Sequence, residues 1–268
     1  MKFTPRVCFL ASMFVFASCA TNPFTGKQTM AFVKNDNLFA SSFQQYDTFL
    51  NENKVVVGTD DAARITRIGQ RIAKAAERYL NANGYVGYLN NYKWEYNLIE
   101  DDTKNAWCMP GGKIVFYTGI LPVAKTDAGI AAIMGHEVAH ALANHGQQRM
   151  SAAYIQQGIA LAGNVAFTEE QSRDIFNQYY GIGSNVAGML PFSRSHESEA
   201  DRIGIILMAI AGYNPEAAPE LWKRMETSNT PEILSTHPAN ASRISQLTKL
   251  VPDAIAEAKK FGVTSFID

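Results

Sequence analysis

The chain has three cysteines in 268 residues, and none of them has an evident partner. Cys8 lies in an N-terminal segment that reads as a signal, Cys19 ends that segment, and Cys108 is then alone. An intramolecular disulfide is therefore not expected. A surplus of charge of one sign is also lacking, with 24 Lys and Arg against 25 Asp and Glu. Removing residues 1–18, which hold Lys2 and Arg6 and no acid, moves the formal net charge only from −1 to −3. No basic stripe is present, so a nucleic-acid partner is not expected, and nothing points to acidic substrates. Beyond residue 18, no apolar run approaches the roughly 18 residues of a membrane-spanning helix. Internal repeats and low-complexity tracts do not stand out. What is there is an ordinary globular composition, 47% apolar and 18% charged, long enough for one substantial core.

The chain begins MKFTPRVCFLASMFVFASCATN. Lys2 and Arg6 form a short positive segment. The apolar run from Val7 to Ala17 has the length of a signal-peptide core and is too short to span a bilayer comfortably. It ends at Phe16-Ala17-Ser18-Cys19, which resembles the bacterial lipobox, although Leu is more usual than Phe at its position. On that resemblance Cys19 is lipidated and becomes the mature N-terminus. The other reading is an ordinary cleaved signal with an incidental cysteine. Ala20 rather than Asp follows Cys19, which by analogy with enteric bacteria favours the outer membrane. A triply acylated cysteine anchors firmly where a single chain holds only marginally. The expected organisation is a signal peptide over 1–18, a lipidated cysteine and tether over 19–35, and a single domain over 36–268.

Apolar residues at helical spacing predict a helix from about Asp36 to Asn53. A second is predicted over Asp60–Ala82, capped by Thr59 with acids in its first turn. Residues 92–118 read as two or three strands, with Pro110-Gly111-Gly112 as a turn. Helices are then predicted over 126–144, closed by His145-Gly146, and over 149–165, 168–180, 194–211, 215–227, 239–250 and 252–260. Strands cluster in the first half and helices in the second, which predicts an α+β fold.

The stretch GHEVAHALANHG, residues 135–146, carries the chemistry. His136 and His140 are four apart, about 400° round a helix, so both rings leave one face a turn apart. That spacing lets both imidazoles bind one Zn²⁺ at about 2.0–2.1 Å. Glu137, about 100° round, is too close for a comfortable third ligand but can reach a water on the metal. This is the H-E-x-x-H logic. Ile130, Ile133, Met134 and Val138 make the helix buried, and buried histidines need partners. Zinc still needs a third protein ligand, and downstream the candidates are His145, His196, Glu197, Glu199, Asp201 and His237. In SRSHESEADRIG, residues 193–204, Glu197 and Asp201 share a helix face, whereas Glu199 projects about 200° away from Glu197. Spacing alone leaves two readings: Glu197 as ligand with Asp201 behind a histidine, or a solvated acidic face.

HEVAH followed about 60 residues later by ESEADRIG resembles the gluzincin peptidases of family forty-eight of the metallopeptidases. That family includes the CAAX prenyl endopeptidases and the HtpX, Oma-type and BepA-type proteases. NPFTGKQ near the start, NAWCMPGGKIVFYTGIL at 105–121 and STHPANASRI at 235–244 resemble further blocks of the family in the right order. The resemblance implies a mainly helical zincin-like domain with a small antiparallel or mixed sheet whose edge strand borders the active-site cleft. It implies one zinc per chain, held by His136, His140 and Glu197, with Glu137 as general base and Asp201 behind the ligands. It implies that the strand Lys113–Phe116 is the edge strand that pairs with an extended substrate, which makes Gly112, Lys113, Ile114 and Val115 candidate substrate contacts, with Asn105 beside them. His237 matches a histidine near the metal, either in the open position or stabilising the transition state; the other reading is a loop histidine before Pro238. Arg243 is a candidate partner for an acid or a substrate carbonyl. Cys108 reads as a small buried hydrophobe or as an inhibitory zinc thiolate. His196 reads as surface, and His145 has no clear role. Residues 147–192 read as packed helices or as a mobile lid.

The implied function is a zinc endopeptidase, lipid-anchored and facing the periplasm, acting on unfolded or misassembled envelope proteins in quality control. A chaperone or assembly factor with minor or self-inhibited cleavage is the other reading. A purely structural zinc site fits poorly, since such sites usually have four protein ligands and often cysteines.

Overall fold

The structure, a computed structural model, describes residues 19–31, 35–156, 193–227, 237 and 241–268. The expectations for residues 1–18 and for helices across 157–180 lie outside them. In chain order the elements are β1 (Cys19–Thr21), β2 (Gln28–Met30), α1 (Asn35–Glu52), β3 (Val55–Val56), α2 (Asp60–Ala82), β4 (Glu95–Ile99), β5 (Ala106–Met109) and β6 (Lys113–Tyr117). A short α3 (Leu121–Ala124) precedes α4 (Asp127–Leu142), α5 (His145–Gln156), α6 (Arg194–Ile210), α7 (Ala217–Thr227) and α8 (Ala241–Lys260). The fold is α+β and mainly helical. Hydroxyl caps open three of the helices by accepting an otherwise orphaned N–H. Thr59 accepts from Ala62 ahead of α2, Thr126 from Gly129 ahead of α4, and Ser193 from His196 ahead of α6.

The four-stranded sheet has the order β3-β4-β6-β5. β6 pairs with β4 in parallel and with β5 antiparallel. The strand expected at the edge is therefore interior, and its main chain is already paired on both sides. The physical reason is written in KIVFY, an unbroken run with every residue buried, as suits a strand covered on both faces. Val115 and Tyr117 pack towards α1, against Tyr46 and Phe49. Ile114 and Phe116 face the larger core built with α2, α4 and α6. The edge strand beside α4 is β5.

Helix α4 is buried from Ala128 to Leu142 without a break, as befits a helix apolar on all sides. It packs most extensively on α6. The crossing is made by two glycines. A Cβ on Gly135 would lie 2.7 Å from the Gly204 carbonyl oxygen, and one on Gly204 would lie 2.8 Å from Gly135 C and His136 N. Neither position has room for a side chain, and this contact brings the two motif-bearing helices together.

Three boundaries differ from expectation. His145 does not close α4; Asn144, at φ 56°, turns the chain and His145 begins α5. Asn is among the few residues that tolerate this conformation, and Asn144 Nδ2 donates to the Tyr88 hydroxyl at 2.9 Å. Pro252 does not divide the last helix, which runs through it as α8. The stretch read as a tether carries the β1–β2 hairpin, with Phe24 stacked on Tyr79 at 5.4 Å.

Candidate metal centre

His136 and His140 leave one face of α4, and Glu197 comes from the first turn of α6. His237 joins them from the segment before α8. One donor atom from each of the four lies within 4.8 Å of the others. His136 Nε2 is 3.1 Å from His140 Nε2 and 3.2 Å from His237 Nδ1. Glu197 Oε1 is 3.3 Å from His140 Nε2 and 3.0 Å from His237 Nδ1. All four side chains are buried.

These separations fit a metal. Ligands about 2.0–2.1 Å from a tetrahedral centre stand about 3.3–3.4 Å from one another. Two imidazole nitrogens facing each other at such a distance need a proton or a cation between them. The donor chemistry, three imidazoles and one carboxylate, is that of a zinc site.

The groups behind the donors fix which nitrogen is presented. Asp201 Oδ1 lies 3.0 Å from His136 Nδ1 and accepts its proton, leaving Nε2 for the metal. Asp201 is in turn clamped by Arg243, Nε to Oδ2 at 2.6 Å and Nη2 to Oδ1 at 2.7 Å. Arg243 Nη1 also reaches Glu197 Oε2 at 2.7 Å, and the guanidinium lies 3.5 Å from the centroid of Trp222. Desolvation works against charge on both carboxylates. The facing Arg243 and His136 still hold the Asp201 carboxyl below its usual range. His237, His136 and His140 hold that of Glu197 far below. Burial opposes charge on His136 too, but Asp201 and Glu197 outweigh it and push its pKa to about 9. Burial prevails at His140, which is held well below the ordinary value.

Glu137 is buried one residue on from His136. Its Oε1 lies 3.5 Å from His237 Nε2. Desolvation raises its pKa, only partly offset by His237 and His136. Cys108 is not among the donors. Burial first, and Glu137 second, push its thiol well up, so it stays protonated.

Residues 60–251 match the profile of peptidase family M48. The chain belongs to that family. The Schizosaccharomyces pombe mitochondrial metalloendopeptidase OMA1 is 33% identical over 188 residues, 68% of this chain and 53% of that protein. Its Saccharomyces cerevisiae namesake is 34% identical over 202 residues, 71% of this chain and 56% of that one. The Escherichia coli beta-barrel assembly-enhancing protease is 28% identical over 197 residues, 62% of this chain and 37% of its own length. The chain thus spans about half the length, or less, of these M48 relatives.

Of the residues expected to contact substrate, Gly112, Lys113, Ile114 and Val115 lie in or beside the interior strand, whereas Asn105 directly precedes the edge strand β5. Ile114 and Val115 are fully buried in the interior strand. The Lys113 ammonium binds Glu95 at 2.7 Å, and the Gly112 carbonyl accepts the Glu95 N–H at 3.0 Å. Asn105 is buried, its Oδ1 accepting the Ala106 N–H at 2.9 Å. His196, read as surface, is half-buried and stacks on His145 at 4.4 Å. His145 and Glu199 entered the sequence reading only as candidate third ligands; instead both lie behind His140. The available signal was the mid-helix glycines 135 and 204, which imply close packing of α4 on α6.

Proposed function

We propose that the chain is a zinc-dependent endopeptidase of the bacterial cell envelope. The observation that supports this most is the buried set of His136, His140, Glu197 and His237 with Glu137 at its side. His136, His140 and Glu197 would hold the ion. Bound zinc supplies Lewis acidity to the scissile carbonyl and to an attacking water. Glu137 takes the proton of that water and returns it to the leaving amine, a role that its raised pKa suits. An extended substrate lies along β5, which is paired on one side only among the described residues, and adds a strand to it.

Mature-chain anchoring through Cys19, an outer-membrane location facing the periplasm, and unfolded or misassembled envelope proteins as clients complete this reading. The lipobox-like N-terminus and the likeness to the beta-barrel assembly-enhancing protease support it. No helix among the described residues is long and apolar enough to cross a membrane.

His237 favours a second reading, of a self-inhibited protease or an assembly factor that seldom cleaves. Catalytic zinc keeps one position open, and His237 Nδ1 stands where a fourth ligand stands. Casein cleavage distinguishes the two. The expected result is zinc-dependent cleavage, abolished by a chelator and reduced about 10²–10⁴-fold in Glu137→Gln with metal content unchanged. Cleavage by His237→Ala alone means a closed resting state, and cleavage that survives Glu137→Gln overturns the mechanism.

A further inference from the structure

His136 and His140 need their Nδ1 protons held for Nε2 to face a metal. Asp201 serves His136. For His140 the neighbour is His145, whose Nδ1 lies 2.9 Å from His140 Nδ1. One proton is shared between these two nitrogens. If it sits on His140, His145 must accept through Nδ1 and carry its own proton on Nε2. His145 is fully buried, and its Nε2 lies 4.0 Å from Glu199 Oε1. That is an electrostatic contact rather than a hydrogen bond, and a carboxylate there favours the tautomer with the proton on Nε2.

Glu199 is itself held by the loop between β1 and β2. Asn22 Nδ2 donates to Glu199 Oε1, Thr25 Oγ1 donates to the same oxygen at 3.4 Å, and Lys27 Nζ lies 3.8 Å from Oε2. The loop has its own frame. Asn22 Oδ1 accepts the Phe24 N–H at 2.9 Å, and the Asn22 N–H and carbonyl bond to Lys27 O and Gly26 N. Gly26 turns the chain at φ +68°, a conformation that glycine adopts freely. Asn22 is 2% exposed, so its amide is committed to this contact.

We propose that the loop Asn22–Lys27 is a positioning element of the metal site. It holds Glu199, Glu199 sets the tautomer of His145, and His145 orients His140. The segment just after Cys19 thereby governs how tightly the metal is gripped. The inference rests on the metallopeptidase reading, and its test does not need cleavage.

The measurement is zinc affinity of the full-length protein by chelator competition, with the metal-free unfolding midpoint followed in parallel. Glu199→Gln and Asn22→Ala are expected to weaken zinc binding about tenfold, at the low end for groups that orient a ligand. In a His145→Ala background, Asn22→Ala is expected to add nothing, because the path to His140 is already cut. Lys27→Glu, at an exposed site, is expected to weaken binding about twofold without moving the midpoint. Wild-type affinity in both Glu199→Gln and Asn22→Ala overturns the proposal, as do additive losses in the double variant. If Asn22→Ala does not fold, wild-type affinity in Lys27→Glu overturns it. A folded wild-type protein that binds no zinc removes the metallopeptidase reading and the proposal together; zinc-binding wild type with unchanged variants removes the proposal alone.

Discussion

His136 and His140 stand one turn apart on the same helix, but they are backed by different kinds of chemistry. Behind His136 lies an ionised carboxylate, Asp201, clamped on two atoms by a buried arginine that also touches Glu197. Behind His140 lies another histidine, His145, whose far nitrogen faces the Glu199 carboxylate 4.0 Å on, and Glu199 is tied to the N-terminal hairpin. The first arrangement is internal to α4, α6 and α8 and cannot be undone without leaving a charge stranded in the core. The second borrows its last member from a surface loop. One ligand is thus fixed by the core, and the other is open to adjustment from outside it.

The largest effect is expected at the charged backing. Asp201→Ala removes the two-point partner of the buried Arg243 and the acceptor of His136, and should cost about 3–5 kcal/mol in denaturant unfolding, along with much of the zinc affinity. Glu199→Gln should lower affinity with little change in stability. Equal stability losses in the two variants would mean that His136 and His140 are backed alike. A smaller effect is expected where both ligand-bearing helices meet. Gly204→Ala forces a Cβ to within 2.8 Å of the α4 backbone, and should cost about 1–3 kcal/mol. Because it moves Glu197 relative to both histidines, zinc affinity should fall in step with stability, unlike in Glu199→Gln.

The smallest effect is expected at the start of α4, which both backings share. Burial works against the Asp127 charge, but Arg64 and Arg67 outweigh it and hold its carboxyl below the ordinary value of 3.8. A folded-state pKa below the unfolded one means stability that is present above pH 4 and lost as pH falls through the lowered value. The pair is partly exposed, so the contribution is below about 1 kcal/mol. Asp127→Asn should flatten the acid limb of the unfolding profile below pH 4 and leave zinc affinity unchanged.

How much of this was legible in the sequence depended on distance along the chain. The limits of α2 were readable, because Thr59, two acids and the Asn83-Gly84 stop all lie within it or beside it. The one-face placement of His136 and His140 follows from helix geometry alone. The position of β6 was misjudged, although its unbroken apolar run argues for a covered strand. The link from Asn22 to Glu199 spans 177 positions, and no local pattern announces it. Glu199 was set aside because it points away from Glu197; that direction is what takes it to His145. Angles within one helix are a property of local sequence, whereas what lies opposite a side chain is decided by packing.

The crossing of Gly135 and Gly204 sets the gauge of the metal cradle. Main chain meets main chain there, so nothing at the contact can flex or change rotamer. Swapping nearby side chains can repack the flanks of the two helices, but it cannot widen their separation. Anyone wishing to refit the cradle for a larger ion would have to insert a shim at position 135 or 204 and rebuild the surroundings to match.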